Sequence, residues 1–225
     1  MVNSITGNGR QAPAALKVSP VLKAVAAVLS YIFHPIFIPL YAVWFIAYVH
    51  PSYLSGFSNG LRLRTVLIVA QNAVFYPLFC VLLLKGVGFI SSIFLRTQKD
   101  RIIPYIASGI FFFWTFIVFK EQAVFPKILP SFILGVFLAS SAALLANIYF
   151  KISMHAIGVG GLVGLFIVIT GTNSMLMTWP LSAALLIAGL VCSARLLITD
   201  HTPKDIYSGL FIGLLAQFVA AFITL

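Results

Sequence analysis

Seven long apolar stretches determine what this chain can fold into. Each is close to the roughly 20 residues that an α-helix needs to cross the hydrocarbon core of a bilayer. They lie at about residues 24–49, 64–84, 102–119, 131–150, 155–172, 178–198 and 206–225. Only 8% of the residues are charged, against roughly 25% in soluble domains, so the chain lacks the polar surface that water requires. The sequence therefore predicts an integral, multi-pass membrane protein.

The fold class follows from the pattern within these stretches. Inside lipid, only α-helices and closed β-barrels satisfy their backbone hydrogen bonds, and the apolar runs here are continuous instead of alternating with a period of two. We therefore predict an all-α, polytopic bundle of six or seven transmembrane helices. The count is six or seven because His34-Pro35 and Pro39 predict a kink or break in the first stretch. Residues 1–20 are predicted to form a flexible polar tail, and residues 21–225 a single transmembrane domain.

The net charge of +10, from 14 Lys+Arg against 4 Asp+Glu, does not indicate a nucleic-acid partner. The basic residues stand at the ends of the apolar stretches, where they meet lipid headgroups or set topology, and no nucleic-acid-binding module is present. The expected partner is the lipid bilayer, and we expect a bacterial inner membrane. The sequence does not decide which side of that membrane a site would face, nor the oligomeric state.

Three polar groups stand out between the spans, at residues 96–101, 151–155 and 195–205. Two predicted spans separate each group from the next, and two crossings return the chain to the same side. All three groups are therefore predicted to share one membrane face. Arg195 lies inside the end of a predicted helix, where a charge is costly, about 2.5–3.5 kcal/mol at the centre of a span. We therefore expect Arg195 to have an anionic partner.

The third group has the spacing of a catalytic histidine and its orienting carboxylate. His201 and Asp205 are four residues apart, so on a helix they share a face, and a carboxylate on one ring nitrogen leaves the other free as nucleophile or base. Arg195 offers a planar fork to a phosphate group. The structural alternative is a helix start, with Thr202 as N-cap, Pro203 in the first turn and Asp205 completing a capping box. The two interpretations are compatible, because helix N-termini also bind anions.

The other two groups each allow a chemical and a structural interpretation. Ser153 can cap the fifth helix and present backbone N–H groups to an anion, and His155 is suited to protonating a leaving oxygen. Alternatively, Ser153 is only a cap and His155 an interfacial residue. Arg96, Lys99 and Arg101 open the third span, either as phosphate ligands or as an interfacial basic belt.

Four other residues with reactive side chains are predicted to have no chemical role. His34 and His50 each precede a proline at a bend, and we predict structural roles for both. Cys80 and Cys192 lie within apolar stretches, where a lone thiol usually packs as a small core residue.

In their order and common face, the three groups resemble the signatures of the type 2 phosphatidic acid phosphatase superfamily. The last signature, Ser-Arg-x5-His-x3-Asp, is matched in its reactive part by Arg195, His201 and Asp205, with Gly209 and Gly213 following as in many members. The middle signature, Pro-Ser-Gly-His, is reduced here to 153–155, with Ile152 and Met154 at the proline and glycine positions.

The first signature, Lys-x6-Arg-Pro, fits least well. Arg101 is followed by Pro104 with two residues between them, and no lysine lies seven positions before Arg101, so that Lys99 or Arg96 would have to take the lysine's place. The resemblance covers about residues 96–213, roughly half of the chain.

The resemblance implies a membrane-bound lipid phosphatase that needs no metal and no cofactor. His201 would attack phosphorus and form a phosphohistidine, Asp205 would orient it, and His155 would protonate the leaving alcohol. The phosphoryl oxygens would be held by Arg195, Ser153, Arg101, Lys99 and Arg96. The substrate would be a phosphorylated lipid; the superfamily handles phosphatidate, phosphatidylglycerol phosphate, polyprenyl pyrophosphate and lipid A phosphate. The alternative function is a non-catalytic transporter or a lipid-binding relative with a degenerate site.

Overall fold

The computed structural model describes residues 19–95, 97–198 and 201–225, and all regular structure within these ranges is helical. The α-helices are α1 (Pro20–Ile32), α2 (Ile38–Trp44), α3 (Asn59–Val69), α4 (Tyr76–Gly86), α5 (Gln98–Lys120), α6 (Ile128–Tyr149), α7 (Met154–Thr172), α8 (Thr178–Ile198) and α9 (Pro203–Thr224). Two π-helical segments, Phe45–Val49 and Ala70–Phe75, extend α2 and join α3 to α4. The predicted all-α class is confirmed.

Six helical segments of the described chain are long and apolar enough to cross a membrane. They are Asn59–Gly86, which runs through α3 and α4, and the single helices α5, α6, α7, α8 and α9. Their bounds agree with the last six predicted spans to within a few residues. The chain is a multi-pass membrane protein.

The predicted first span, 24–49, is instead two shorter helices, with the predicted break between them. Helix α1 ends at Ile32 and α2 begins at Ile38. Pro35 supplies no backbone N–H and disfavours helical geometry at His34, which favours a break of the helix at this point. Most of the predicted polar tail lies outside the described residues.

Helix α7 lies at the centre of the bundle and is the most buried of the six spans. It packs along α9 on one side and α8 on another, while α6 contacts α9 and carries α5 on its outer face. Helix α1 lies along α8. The residue before α7, Ser153, is hydrogen-bonded to Asp205 in the first turn of α9, so the N-terminal ends of α7 and α9 come together at one end of the bundle.

Glycines allow α7 and α9 to approach closely. The contact faces carry Gly160 and Gly164 on α7, and Gly209 and Gly213 on α9. A Cβ atom at Gly209 would lie 2.9 Å from the carbonyl oxygen of Ser153, and one at Gly213 would overlap the carbonyl oxygen of Ile157. Small residues at a helix contact are how membrane helices gain close backbone packing, since lipid leaves them little hydrophobic driving force.

Replacing Gly213 with alanine is expected to destabilise the fold. The added Cβ meets the backbone oxygen of Ile157, which cannot rotate away as a side chain could. We expect a cost at or above the upper end of the range for overpacking, about 1–3 kcal/mol. The apparent melting temperature of the purified protein in detergent measures it.

The matched control is Gly171→Ala at the other end of α7, where the added Cβ meets nothing within 4 Å. Alanine is a better helix former than glycine by about 1 kcal/mol, so this variant should melt at the same temperature or higher. A Gly213→Ala protein as stable as the control would contradict the close contact.

Candidate functional site

The N-terminal ends of α7 and α9 are joined through their backbones. The N–H of Ser153 donates to the carbonyl oxygen of Asp205 over 3.3 Å. Ser153 is fully buried and caps α7, its hydroxyl accepting from the N–H of Ala156 at 3.4 Å. Two helix N-termini, each with a partial positive charge, therefore point into the same end of the bundle.

Asp205 takes part in the capping box that the sequence predicts for α9. Its carboxylate accepts from the N–H of Thr202 at 2.8 Å, and the Thr202 hydroxyl accepts from the N–H of Asp205 at 3.3 Å. The same carboxylate oxygen lies 3.9 Å from Nδ1 of His201. This distance is too long for a hydrogen bond, so Asp205 first serves the helix start and acts on His201 through its charge.

His201 is buried directly before α9, and its pKa is lowered from the ordinary value. Burial is the main cause, followed by the positive charges of Arg195 and Arg101; the carboxylate of Asp205 opposes them. The neutral ring is therefore favoured near neutral pH. A neutral imidazole keeps the lone pair that a nucleophile or base requires.

Arg195, in the last turn of α8, interacts electrostatically with all three histidines of this region. Its guanidinium lies within electrostatic reach of His34, His155 and His201. It also experiences the like charge of Arg101. Two guanidinium groups that interact electrostatically, at the end of the bundle where two helices begin, make the region attractive to an anion.

Arg101, in the first turn of α5, is buried and held by two carbonyl oxygens. Its Nε donates to Leu95 at 2.9 Å and its Nη1 to Ile152 at 3.0 Å. The neighbouring Asp100 accepts from the backbone N–H of Ser91 at 2.9 Å and from the Ser91 hydroxyl at 2.6 Å. Asp100 therefore clasps the segment before α5 and does not neutralise Arg101.

His155, in the first turn of α7, bonds across the bundle to α1. Its Nε2 lies 3.0 Å from the carbonyl oxygen of Ser30. A carbonyl can only accept, so Nε2 carries the proton and, in the neutral ring, Nδ1 is the nitrogen with the lone pair. The ring of His34 stands edge-on against that of His155, with 5.2 Å between centroids.

Two residues that the sequence analysis did not assign to the site lie at it. His34, predicted only to mark a bend, contacts His155 because the break after α1 turns the chain at this end of the bundle. Lys151 acts electrostatically on His201. Its position two residues before Ser153 was a usable signal, whereas nothing in the sequence links His34 to a residue so distant in the chain.

The basic residues proposed for the first signature differ in their position relative to the site. Arg101 belongs to the site, whereas Lys99 is exposed on α5. Arg96 lies outside the described residues, as does Asp200. Lys151 is therefore better placed than Lys99 to supply the lysine charge of the site.

His50 belongs to the opposite end of the bundle. Its Nδ1 accepts from the backbone N–H of Ser52 at 3.3 Å, and the Ser52 hydroxyl in turn accepts from Asn173, directly after α7. This placement agrees with the structural role predicted for His50. It also provides a buried histidine that is remote from the candidate site.

The comparisons with known proteins assign no family to the chain. No protein-family model, no curated protein and no solved structure matches it.

Replacing Arg195 with glutamine is expected to raise the pKa of His201. A neighbouring positive charge disfavours the imidazolium, so removing it makes protonation easier, while burial continues to hold the pKa below its ordinary value. Diethyl pyrocarbonate reacts with neutral imidazole, and mass spectrometry of the peptide that carries His201 gives its reactivity against pH. The midpoint should move to higher pH in Arg195→Gln.

Arg64→Gln is the matched control, because Arg64 is exposed on α3 and the same charge is removed away from the site. Its midpoint should equal that of the wild type. A midpoint that stays in place in Arg195→Gln would contradict the electrostatic coupling.

Proposed function

We propose that the protein hydrolyses a lipid phosphate or pyrophosphate at the membrane face, through a phosphohistidine and without a metal ion. The observation that carries the proposal is the position of Arg195 within reach of both His155 and His201, where the N-termini of α7 and α9 meet. An anion with several oxygens satisfies all of these groups together. Their residue types and spacing are also those of the lipid phosphatase signatures.

In the first step, His201 acts as the nucleophile. Its Nδ1 faces Asp205, so Nε2 attacks phosphorus and the bond from phosphorus to the ester oxygen breaks. His155 acts from its doubly protonated form: Nε2 keeps its bond to Ser30 while Nδ1 delivers a proton to the departing oxygen, which leaves as the lipid alcohol, or as a phosphate if the substrate is a pyrophosphate. Water then attacks the phosphohistidine, gives up a proton to His155, and releases inorganic phosphate with His201 restored.

The surrounding cations stabilise the charge that develops on the phosphoryl oxygens. Arg195 and Arg101 provide fixed guanidinium groups, and Lys151 a more mobile charge. Preorganised charges of this kind are usually the largest contribution to such catalysis, because they need no reorientation during the reaction. Desolvation favours the neutral ring of His201 and so favours the attacking form.

The substrate class follows from the location of the site. A phosphate at the end of a membrane bundle, beside helices that face lipid, suits an amphiphile whose chain stays in the bilayer while its headgroup enters the polar region. We propose a phosphorylated lipid of a bacterial inner membrane as substrate. The side chains at the site bind phosphate and do not select among lipid phosphates.

Two features of the geometry favour the alternative of a non-catalytic, lipid-binding or transport protein. Nε2 of His155 is hydrogen-bonded to the carbonyl oxygen of Ser30. Nδ1 of His201 lies 3.9 Å from the carboxylate of Asp205, too far for a direct hydrogen bond. A site that only binds a lipid phosphate would need neither a proton donor at His155 nor a carboxylate that orients His201. Release of phosphate by the pure protein separates the two functions.

Replacing His201 with alanine is expected to abolish phosphate release from a panel of lipid phosphates in detergent. Loss of a nucleophile commonly costs at least about a thousandfold in rate. Rapid acid-free quenching with a labelled lipid phosphate should trap phosphate on the wild-type chain and none on His201→Ala.

His50→Ala is the matched control, since it removes a buried histidine at the opposite end. It should retain activity and form the phosphoenzyme. Undiminished turnover in His201→Ala would reject the proposed nucleophile, and a wild-type protein inactive on the whole panel would reject hydrolysis.

Phosphate release is expected to be insensitive to EDTA, because the proposed nucleophile and the charges that stabilise the transition state are histidine, arginine and lysine side chains. The measurement is turnover before and after exhaustive dialysis against the chelator, with Mg²⁺ added back as the control. Loss of activity that Mg²⁺ restores would contradict the metal-independent mechanism.

A further inference from the structure

A groove opens to the lipid between α8 and α9, beside the candidate site. Its volume is about 340 Å³. The helices α8 and α9 touch only slightly, and α7 closes the groove behind them. The walls are almost entirely apolar and include Leu185, Gly189, Cys192 and Leu196 from α8, and Tyr207 and Leu210 from α9.

One end of the groove adjoins the cationic residues. Leu196 follows Arg195 directly in the last turn of α8, and Ile206, also in the wall, follows Asp205 in the first turn of α9. The other end reaches Leu185, about three turns away along α8. The groove is therefore an apolar path that ends beside the turns of α8 and α9 that carry Arg195 and Asp205.

We infer that this groove holds one hydrocarbon chain of the phosphorylated lipid whose headgroup meets Arg195 and His201, an inference that rests on the proposed function. The groove is complementary to an amphiphile, because cationic residues adjoin one end and apolar walls form the rest. An extended hydrocarbon chain matches these walls, which run about 16 Å along α8 from Leu185 to Leu196.

Gly189 provides a direct test of the occupant. A Cβ at Gly189 meets nothing within 4 Å, so the side chain of a leucine placed there starts in the open space of the groove. If a lipid chain occupies that space, Gly189→Leu should raise the KM for hexadecyl phosphate about tenfold more than the KM for butyl phosphate, whose chain is too short to fill the groove.

Gly171→Leu is the matched control, because Gly171 is equally open but lies at the far end of α7 and outside the groove wall. It should leave the KM for both substrates as in the wild type. An equal effect of Gly189→Leu on the two substrates, or none on either, would overturn the inference.

A binding measurement separates this inference from the proposed function. Cys192 is in the groove wall, and Cys80 is the only other cysteine, so Cys80→Ser leaves one thiol. Hexadecylphosphonate, which cannot be hydrolysed, should slow modification of Cys192 by N-ethylmaleimide at least several-fold, whereas butylphosphonate should not. Gly189→Leu should remove the protection.

The hydrolysis assay and the Cys192 protection assay can fail independently of each other. Protection of Cys192 by hexadecylphosphonate in a protein that hydrolyses no lipid phosphate supports the groove and rejects the enzyme. Hydrolysis without chain-dependent protection supports the enzyme and rejects the groove.

Discussion

The close contact between α7 and α9 is the interaction on which the rest of this structure depends. Where most helices keep their backbones apart with side chains, glycines here let a carbonyl of one helix approach the other, as Gly209 does with the oxygen of Ser153. This contact aligns the two helix N-termini so that Ser153 bonds to Asp205. Every candidate site residue of α7 and α9 takes its place from that alignment.

The electrostatics of the site follow from what this alignment brings together. Arg195 and Arg101 face one another in a region where Asp205 is already bound to the start of α9 and Asp100 to Ser91. The nearby carboxylates therefore serve the helix starts before they serve the cations. Like charges held near one another repel, and an anion that binds beside both relieves that repulsion. The region is therefore electrostatically favourable for an anion.

Much of the fold could be predicted because it depends on local properties. Span positions follow from summed hydropathy, the break at Pro35 from the chemistry of one residue, and the common face of the three polar groups from counting crossings. The capping box at Thr202 and Asp205 was also readable from spacing. His34 could not be predicted, because its contact with His155 depends on how α1 returns along α8. Lys99 and Lys151 could not be ranked, because both lie beside a helix start and only the packing of the helices brings Lys151 within electrostatic reach of His201.

The sequence by itself determined that the chain is a helical bundle in a bilayer, and that its reactive side chains lie at one membrane face. Hydropathy and helix parity are properties of single segments and need no partner. Only the tertiary structure decided which cationic and imidazole side chains come within electrostatic reach of one another, that Nε2 of His155 is bonded to Ser30, and that an apolar groove lies between α8 and α9. These depend on distances between helices that are far apart in the chain, and close packing between helices sets such distances.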